Sequence, residues 1–248
     1  MDNSTWLEET EVDDLALYDL TRNELRRLTG DHFPADFDLE EAITAYAYFA
    51  CIVVKNRGKD WETTVQDYAE LAVRNARSDS EAEKIELDLL RTDLARTTGR
   101  LLDVGAGWGR FGDLYAACGL QAFFVEPFDL GCRLMRRNGL TRSACCPGQQ
   151  LCFPADSFQG VVIGWVLHHD APDVPATGLL GEIGRVIAPG GWLYSVEPLS
   201  DDFDEEKWRE LVTAAGFVVE KMEIFFDMPL PENRHERYGY LTAAKPVE

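Results

Sequence analysis

Three glycines at alternate positions, Gly105, Gly107 and Gly109, follow an apolar stretch at 100–104 and precede a helical one at 111–117. Glycine there removes every Cβ that would hold a ligand off the backbone, and it permits positive φ where the chain must turn sharply. The spacing is G-x-G-x-G, not the G-x-G-x-x-G that seats a pyrophosphate, which argues against a dinucleotide. Asp103, just before the glycines, suits an ammonium or hydroxyl group better than a phosphate. These residues point to a nucleoside cofactor without phosphates. Glu126 ends the next strand, about 20 residues on, where a carboxylate can accept both hydroxyls of a ribose. His168 and His169 follow a further strand, at the end where parallel sheets place ligands. An imidazole titrates near neutral pH and suits proton removal from an acceptor hydroxyl or amine, although a structural or pocket-wall role fits the same position.

The elements that position these residues alternate. Strands are expected at 100–104, 121–125 (with Glu126 at its end and Pro127 forbidding continuation), 141–145, 159–166, 192–196, 217–226 and 237–244, with helices between most of them. This alternation predicts an α/β fold, a Rossmann-like seven-stranded, mainly parallel sheet with helices on both faces. Pro189-Gly190-Gly191 is read as ending the helix at 176–188. A polar, Pro-containing loop of about ten residues joins the last two strands and makes the final pair antiparallel. Before Arg100 the pattern is helical. One or two short helices cover 15–28, and a helix capped by Asp38 runs through Val53. A third, capped by Asp60, carries Trp61, Tyr68 and Asn75, and a fourth opens on the capping-box pair Ser80 and Glu83, runs through Leu94 and ends at Thr98-Gly99. Residues 1–12 are polar and read as loose. Residues 1–98 are thus expected as an N-terminal helical segment and 99–248 as the α/β domain that carries the glycine turn.

Composition narrows the function. The formal net charge of −20 argues against nucleic acid as substrate, because a basic face supplies most non-specific affinity for phosphates. Half of that charge sits in residues 1–41, which reads as a solvated face. The longest apolar run, 42–54, is shorter than the roughly 20 residues a membrane helix needs, and no basic-then-apolar opening resembles a signal peptide. The chain is expected to be cytoplasmic, with no membrane partner. Its six cysteines are expected as reduced thiols, and neither C-x-x-C nor a His-paired zinc spacing occurs, so no metal is expected.

Asp103 to Gly109 resembles the first motif of the class I S-adenosylmethionine-dependent methyltransferases, and the later segments resemble that family's motifs in order over roughly residues 98 to 245. The run from Gly181 to Gly191 is similar to the family's Glu-x-x-Arg-Val-Leu-x-Pro-Gly-Gly, and Gln149 to Phe158 to its segment before the fourth strand. The resemblance implies S-adenosylmethionine as cofactor and S-adenosylhomocysteine as product. It implies cofactor contacts from Asp103, Gly105, Ala106, Gly107, Gly109, Glu126, Pro127, Gln149 and Trp165. It also implies methyl transfer to a small-molecule O, N or C nucleophile by in-line displacement, with His168 or His169 as an optional base. The resemblance further implies that residues 1–98 form an N-terminal helical cap and acceptor-pocket segment over a cofactor-binding domain at 99–248, with Tyr46, Tyr48, Trp61 and Tyr68 as the candidates for acceptor or cofactor contacts in the substrate pocket. The sequence departs from the family pattern on the adenine side: Pro147 stands where an acid accepts the exocyclic amine, and Gln159 where an Asp follows Phe158. Gln149 is the candidate replacement. That departure keeps open a non-catalytic or repurposed protein acting as a regulatory partner, while methylation of RNA or protein suits the acidic surface poorly. The oligomeric state is not readable.

Overall fold

The computed structural model describes residues 13–34, 37–169, 175–230 and 234–247, so the stretch 1–12, expected as loose, lies outside the described residues. The chain divides into two compact units, Met1–Glu81 and Ala82–Glu248.

In the first unit a single helix, α1 (Asp14–Thr29), replaces the one or two short helices expected, and a short turn at Gly30–His32 follows it. Asp13 caps it by accepting from the N–H groups of Leu15 and Ala16. Asp38 caps α2 (Leu39–Arg57) through the Glu41 N–H, and Gly58 closes it at φ +58°. Thr21, fully buried on α1, accepts from Trp61 Nε1 at 2.9 Å and from Cys51 Sγ at 3.5 Å.

The third and fourth expected helices are one, α3 (Trp61–Leu94), 34 residues long. Asp60 accepts from the Thr63 N–H at its start, but Ser80 opens no new helix. The buried series Ala82, Glu86, Leu90 and Leu94 recurs every fourth residue, so the local capping signal gives way to a continuous buried stripe.

The second unit is built on β1 (Arg100–Val104), β2 (Gln121–Glu126), β3 (Ser143–Cys145), β4 (Phe158–Gly164), β5 (Ile187–Leu199), β6 (Val218–Leu230) and β7 (Arg234–Ala244), in the order β3-β2-β1-β4-β5-β7-β6. β7 runs antiparallel to both of its neighbours, and the pairings from β3 to β5 are parallel. Between them lie α4 (Gly112–Ala117), α5 (Asp129–Arg137), α6 (Ala176–Val186) and α7 (Glu205–Ala214). Alternation along each strand divides the core. Leu102, Val104, Val161 and Ile163 pack with Leu180 and Ile183 of α6 and Trp208 of α7. Leu101, Phe124 and Val162 pack with Leu90 and Leu94 of α3, Tyr115 of α4 and Met135 of α5.

Several boundaries differ from expectation: the last helix before β1 ends at Leu94 rather than at Thr98-Gly99, β4 ends at Gly164 rather than at 166, and two further differences have a visible cause. Pro189-Gly190-Gly191 lies inside β5, where the register with β4 shifts between Phe158 and Gly160. Gly190 sits at φ +77°, and a Cβ on Gly191 would come within 2.9 Å of the carbonyl oxygens of Ala188 and Gln159, so the motif forms an irregularity in the strand. The expected loop of about ten residues is also mostly strand: β6 and β7 pair out to Leu230 and Arg234. β6 is an edge strand, so Pro229 is tolerated within it.

Candidate active site

The strand order reverses between β1 and β4, and in open parallel sheets a ligand crevice lies outside the carboxyl ends at such a point. The residues singled out from the sequence gather there on consecutive turns: Asp103 and the glycines after β1, Glu126 at the end of β2, Trp165 to His169 after β4.

All three glycines have positive φ: +73° at Gly105, +57° at Gly107 and +86° at Gly109. A Cβ on Gly105 would lie 2.6 Å from Val166 Cγ2, and one on Gly109 2.3 Å from Leu140 Cδ1. These two glycines therefore have a packing reason as well as a ligand reason. Gly107 is tied to Glu126, whose Oε2 accepts the Gly107 N–H at 2.9 Å while its Oε1 accepts that of Phe128 at 3.2 Å. Glu126 is buried at the end of β2, with its carboxylate turned to the glycine turn. Ala106 is buried in the turn, and Pro127 is exposed after Glu126.

Asp103 is buried beneath the turn and accepts from the Tyr115 hydroxyl at 2.9 Å. Burial pushes its carboxyl up to about 7, against the Tyr115 hydrogen bond and the charge of Arg110. Arg110 faces Glu86 of α3 across 2.7 and 3.1 Å, and its guanidinium lies over the rings of Phe111 (4.2 Å) and Trp165 (5.3 Å). Burial also raises Glu86 to about 7, opposed by Arg110, which is itself held firmly charged by Glu86.

Because Asp103 and Glu86 take up protons more readily folded than unfolded, the native state binds more protons between the ordinary values, 3.8 and 4.5, and about 7. Stability contributed by their protonated forms is therefore expected to fall as pH rises through that window and to level off above it. The raised-pH loss should weaken in Asp103→Asn, measured by urea denaturation at successive pH values; an unchanged slope in both Asp103→Asn and Glu86→Gln would refute the assignment.

Trp165 takes φ +62°, a strained conformation for a non-glycine residue, and its N–H donates to the Val196 carbonyl. Its ring stacks on Tyr238 at 5.3 Å and 13°. Trp165 Nε1 is buried without a hydrogen-bond partner among the described residues. After it, the chain makes a short turn at Leu167–His169 held by Glu197 of β5, which is fully buried. Glu197 accepts the N–H groups of Val166, Leu167 and His168 at 3.2, 3.0 and 3.2 Å, and His168 Nδ1 at 2.9 Å. His168 is partly exposed and His169 is exposed, their rings 3.7 Å apart.

Gln149 is exposed on a turn at Gly148–Gln150, and Gln159 instead accepts the Arg100 N–H at 2.9 Å. Tyr46, Tyr48, Trp61 and Tyr68 all lie in the first unit. Tyr46 and Tyr48 are buried, the Tyr46 hydroxyl donating to Asp79, and burial raises the Tyr68 hydroxyl. No group of three or more metal-ligating side chains occurs among the described residues.

Sequence reasoning missed four partners: Glu86, Arg110, Tyr115 and Glu197. Glu86 carries a readable signal, an acid in an otherwise apolar every-fourth-residue series. Glu197 repeats the strand-end acid of Glu126. Nothing local marks the pairing of Arg110 with Glu86.

The site fits a nucleoside cofactor bearing an amino acid. The turn is built of glycines in conformations that side chains disfavour, a buried carboxylate ends β2, and an orphan indole donor lies after β4. The family model described as a methyltransferase domain matches residues 75–242, well over half of the chain. No curated protein sequence matches. Among solved structures, a Burkholderia thailandensis 1,6-didemethyltoxoflavin N1-methyltransferase is 22% identical over 86% of this chain and 93% of its own, with a TM-score of 0.57. A putative sarcosine dimethylglycine methyltransferase from Galdieria sulphuraria is 14% identical over 70% and 88%, with a TM-score of 0.53. A Methanosarcina mazei S-adenosylmethionine-dependent methyltransferase is 16% identical over 60% and 93%, with a TM-score of 0.51. No described helix is long and apolar enough to cross a membrane. A chain whose glycine turn, strand-end acid and strand order agree with a family model spanning most of its length belongs to the class I S-adenosylmethionine-dependent methyltransferases, with S-adenosylmethionine as its cofactor.

Proposed function

We propose that the protein transfers the methyl group of S-adenosylmethionine to a small-molecule O, N or C nucleophile, and that His168, oriented by Glu197, removes the acceptor's proton where one must leave. The observation that carries the reading is the Glu197 carboxylate. It offers only lone pairs, so His168 Nδ1 carries the proton and Nε2 is left as an acceptor. Three backbone N–H groups on the same carboxylate fix the turn, so the imidazole is held in place before any acceptor arrives.

When bound, the cofactor supplies a methyl group already activated by its sulfonium. The chain's own work is to hold the nucleophile in line and to exclude water. In this reading Gly105, Ala106 and Gly107 line the methionine and ribose side, with Asp103 supporting the turn from below. Glu126 binds the ribose hydroxyls, Pro127 and Gln149 border the adenine, and Trp165 offers its unpaired indole N–H. His169 packs on His168. Residues 1–98, with Tyr46, Tyr48, Trp61 and Tyr68, are assigned to the acceptor and 99–248 to the cofactor.

A small acceptor is supported by the Burkholderia thailandensis structure, which holds 1,6-didemethyltoxoflavin and S-adenosylhomocysteine and matches 86% of this chain. The net charge of −20 disfavours RNA. Six free thiols support a reducing, cytoplasmic setting. A second reading, a repurposed member of the fold, is favoured by Pro147 in place of the adenine-binding acid, and a 4+2 cyclase shares the fold at a TM-score of 0.52.

Methyl-labelled S-adenosylmethionine incubated with a metabolite extract tests the proposal. Label should appear in a small molecule. Label in RNA or protein, or none despite S-adenosylhomocysteine binding, would favour the other readings. Glu197→Gln and His168→Ala should keep S-adenosylhomocysteine affinity while transfer to an acidic acceptor falls by about 10²–10⁴-fold. Nitrogen NMR should show His168 leaving the Nδ1–H form in Glu197→Gln. Full activity in both variants would remove His168 from the chemistry.

A further inference from the structure

We propose that Cys146 and Cys152 form a peroxide-sensitive dithiol that closes into a disulfide across the loop 147–151. Cys146 follows β3 directly and Cys152 follows the turn at Gly148–Gln150, and their sulfurs lie 3.7 Å apart. Cys145 is not part of the pair. Adjacent residues leaving a strand point to opposite sides, and the Cys145 thiol donates to the Pro127 carbonyl at 3.5 Å.

The loop between the two cysteines is already seated on α6. The Leu151 N–H donates to Glu182 at 2.8 Å, and the Leu151 carbonyl accepts from Arg185 at 3.0 Å. A Cβ on Gly148 would meet Leu179 at 2.6 Å, so the loop backbone lies close on the helix. The sulfurs must close from 3.7 Å to the disulfide length of about 2.05 Å.

The two thiols differ in the way such a reaction needs. Cys152 is exposed, while Cys146 is half-buried, and burial pushes its thiol up to about 11. Cys152 as thiolate attacks a hydroperoxide oxygen; the O–O bond breaks, and protonation of the leaving oxygen releases water from hydrogen peroxide while Cys152 becomes a sulfenic acid. The Cys146 sulfur then attacks the sulfenic sulfur. Its proton leaves with the hydroxyl group as a second water, and the S–S bond forms. Two thiols lose two electrons, and the peroxide gains them. The loop whose ends are joined carries Gln149, so the consequence for the cofactor, unlike the disulfide itself, rests on the reading of Gln149 as an adenine contact.

The test is stoichiometric hydrogen peroxide on the reduced full chain, followed by alkylation, tandem mass spectrometry and amide hydrogen exchange. Free thiols should fall from six to four, with the loss of two hydrogens mapped to Cys146–Cys152 and reversed by dithiothreitol. Exchange at Gln149 and Gln150 should slow. C152S should keep all its thiols, and C146S should trap a sulfenic acid on Cys152. A bridge to Cys145, oxidation of Cys152 without a bridge in the unsubstituted chain, or loop exchange unaltered by the bridge would each overturn the proposal. None of these readouts requires cofactor binding, so its failure is distinguishable from failure of the methyltransfer reading.

Discussion

Valine at position 107 is expected to abolish S-adenosylhomocysteine binding in calorimetry, an affinity loss of at least about 100-fold, or roughly 2.7 kcal/mol. Two physical effects add. Gly107 sits at φ +57°, which costs a β-branched residue on the order of 1–3 kcal/mol, and its N–H is spent on Glu126 at 2.9 Å, so any backbone relief disturbs that carboxylate. The comparison set makes the result specific. Gly105→Ala and Gly109→Ala place a methyl against Val166 and Leu140, so both should lower folding stability in urea whether or not ligand is present. Glu126→Ala should weaken binding less, by about 10-fold, by removing the proposed ribose contact. If Gly107→Val stays folded by circular dichroism and binds normally, the cofactor lies elsewhere.

Glu86→Ala is expected to be among the most destabilising single changes in the second unit, by about 3–5 kcal/mol in chemical denaturation. Glu86 is almost fully buried, and its removal takes from the Arg110 guanidinium, which lies over the rings of Phe111 and Trp165, its two carboxylate hydrogen bonds. The cost comes from the buried guanidinium left without those hydrogen bonds rather than from the attraction itself. The double variant Glu86→Ala with Arg110→Met should therefore recover a large part of the loss. Glu86→Gln, which keeps an acceptor for the guanidinium, should fall between. A double variant no better than Glu86→Ala alone would mean that the pair contributes through packing and not through charge.

The same pair shows why parts of this molecule were legible and others were not. The glycine turn, the end of β2 at Glu126 and the alternation that builds the sheet are local signals: a period of two, a period near 3.6, and backbone conformations that glycine takes freely. They were readable from Arg100 onward. Boundaries were lost where tertiary packing outweighed a local signal. The Ser80–Glu83 capping box is absorbed into α3 because the buried stripe runs through it, and Pro189-Gly190-Gly191 is taken into β5 as an irregularity because Lys245 pairs with Gly190 and Gly191.

The sequence by itself determined the sheet class and the family, and it marked the chain positions proposed for the cofactor, since each of these depends on residues a few positions apart. Only the tertiary structure decided how those residues are held: Glu86 against Arg110, Tyr115 under Asp103, Glu197 behind His168, Cys146 beside Cys152. The physical reason lies in the register and order of the strands. Glu197 reaches His168 because β4 and β5 run parallel with Gly164 opposite Val196, which brings the end of one strand beside the turn that leaves the other.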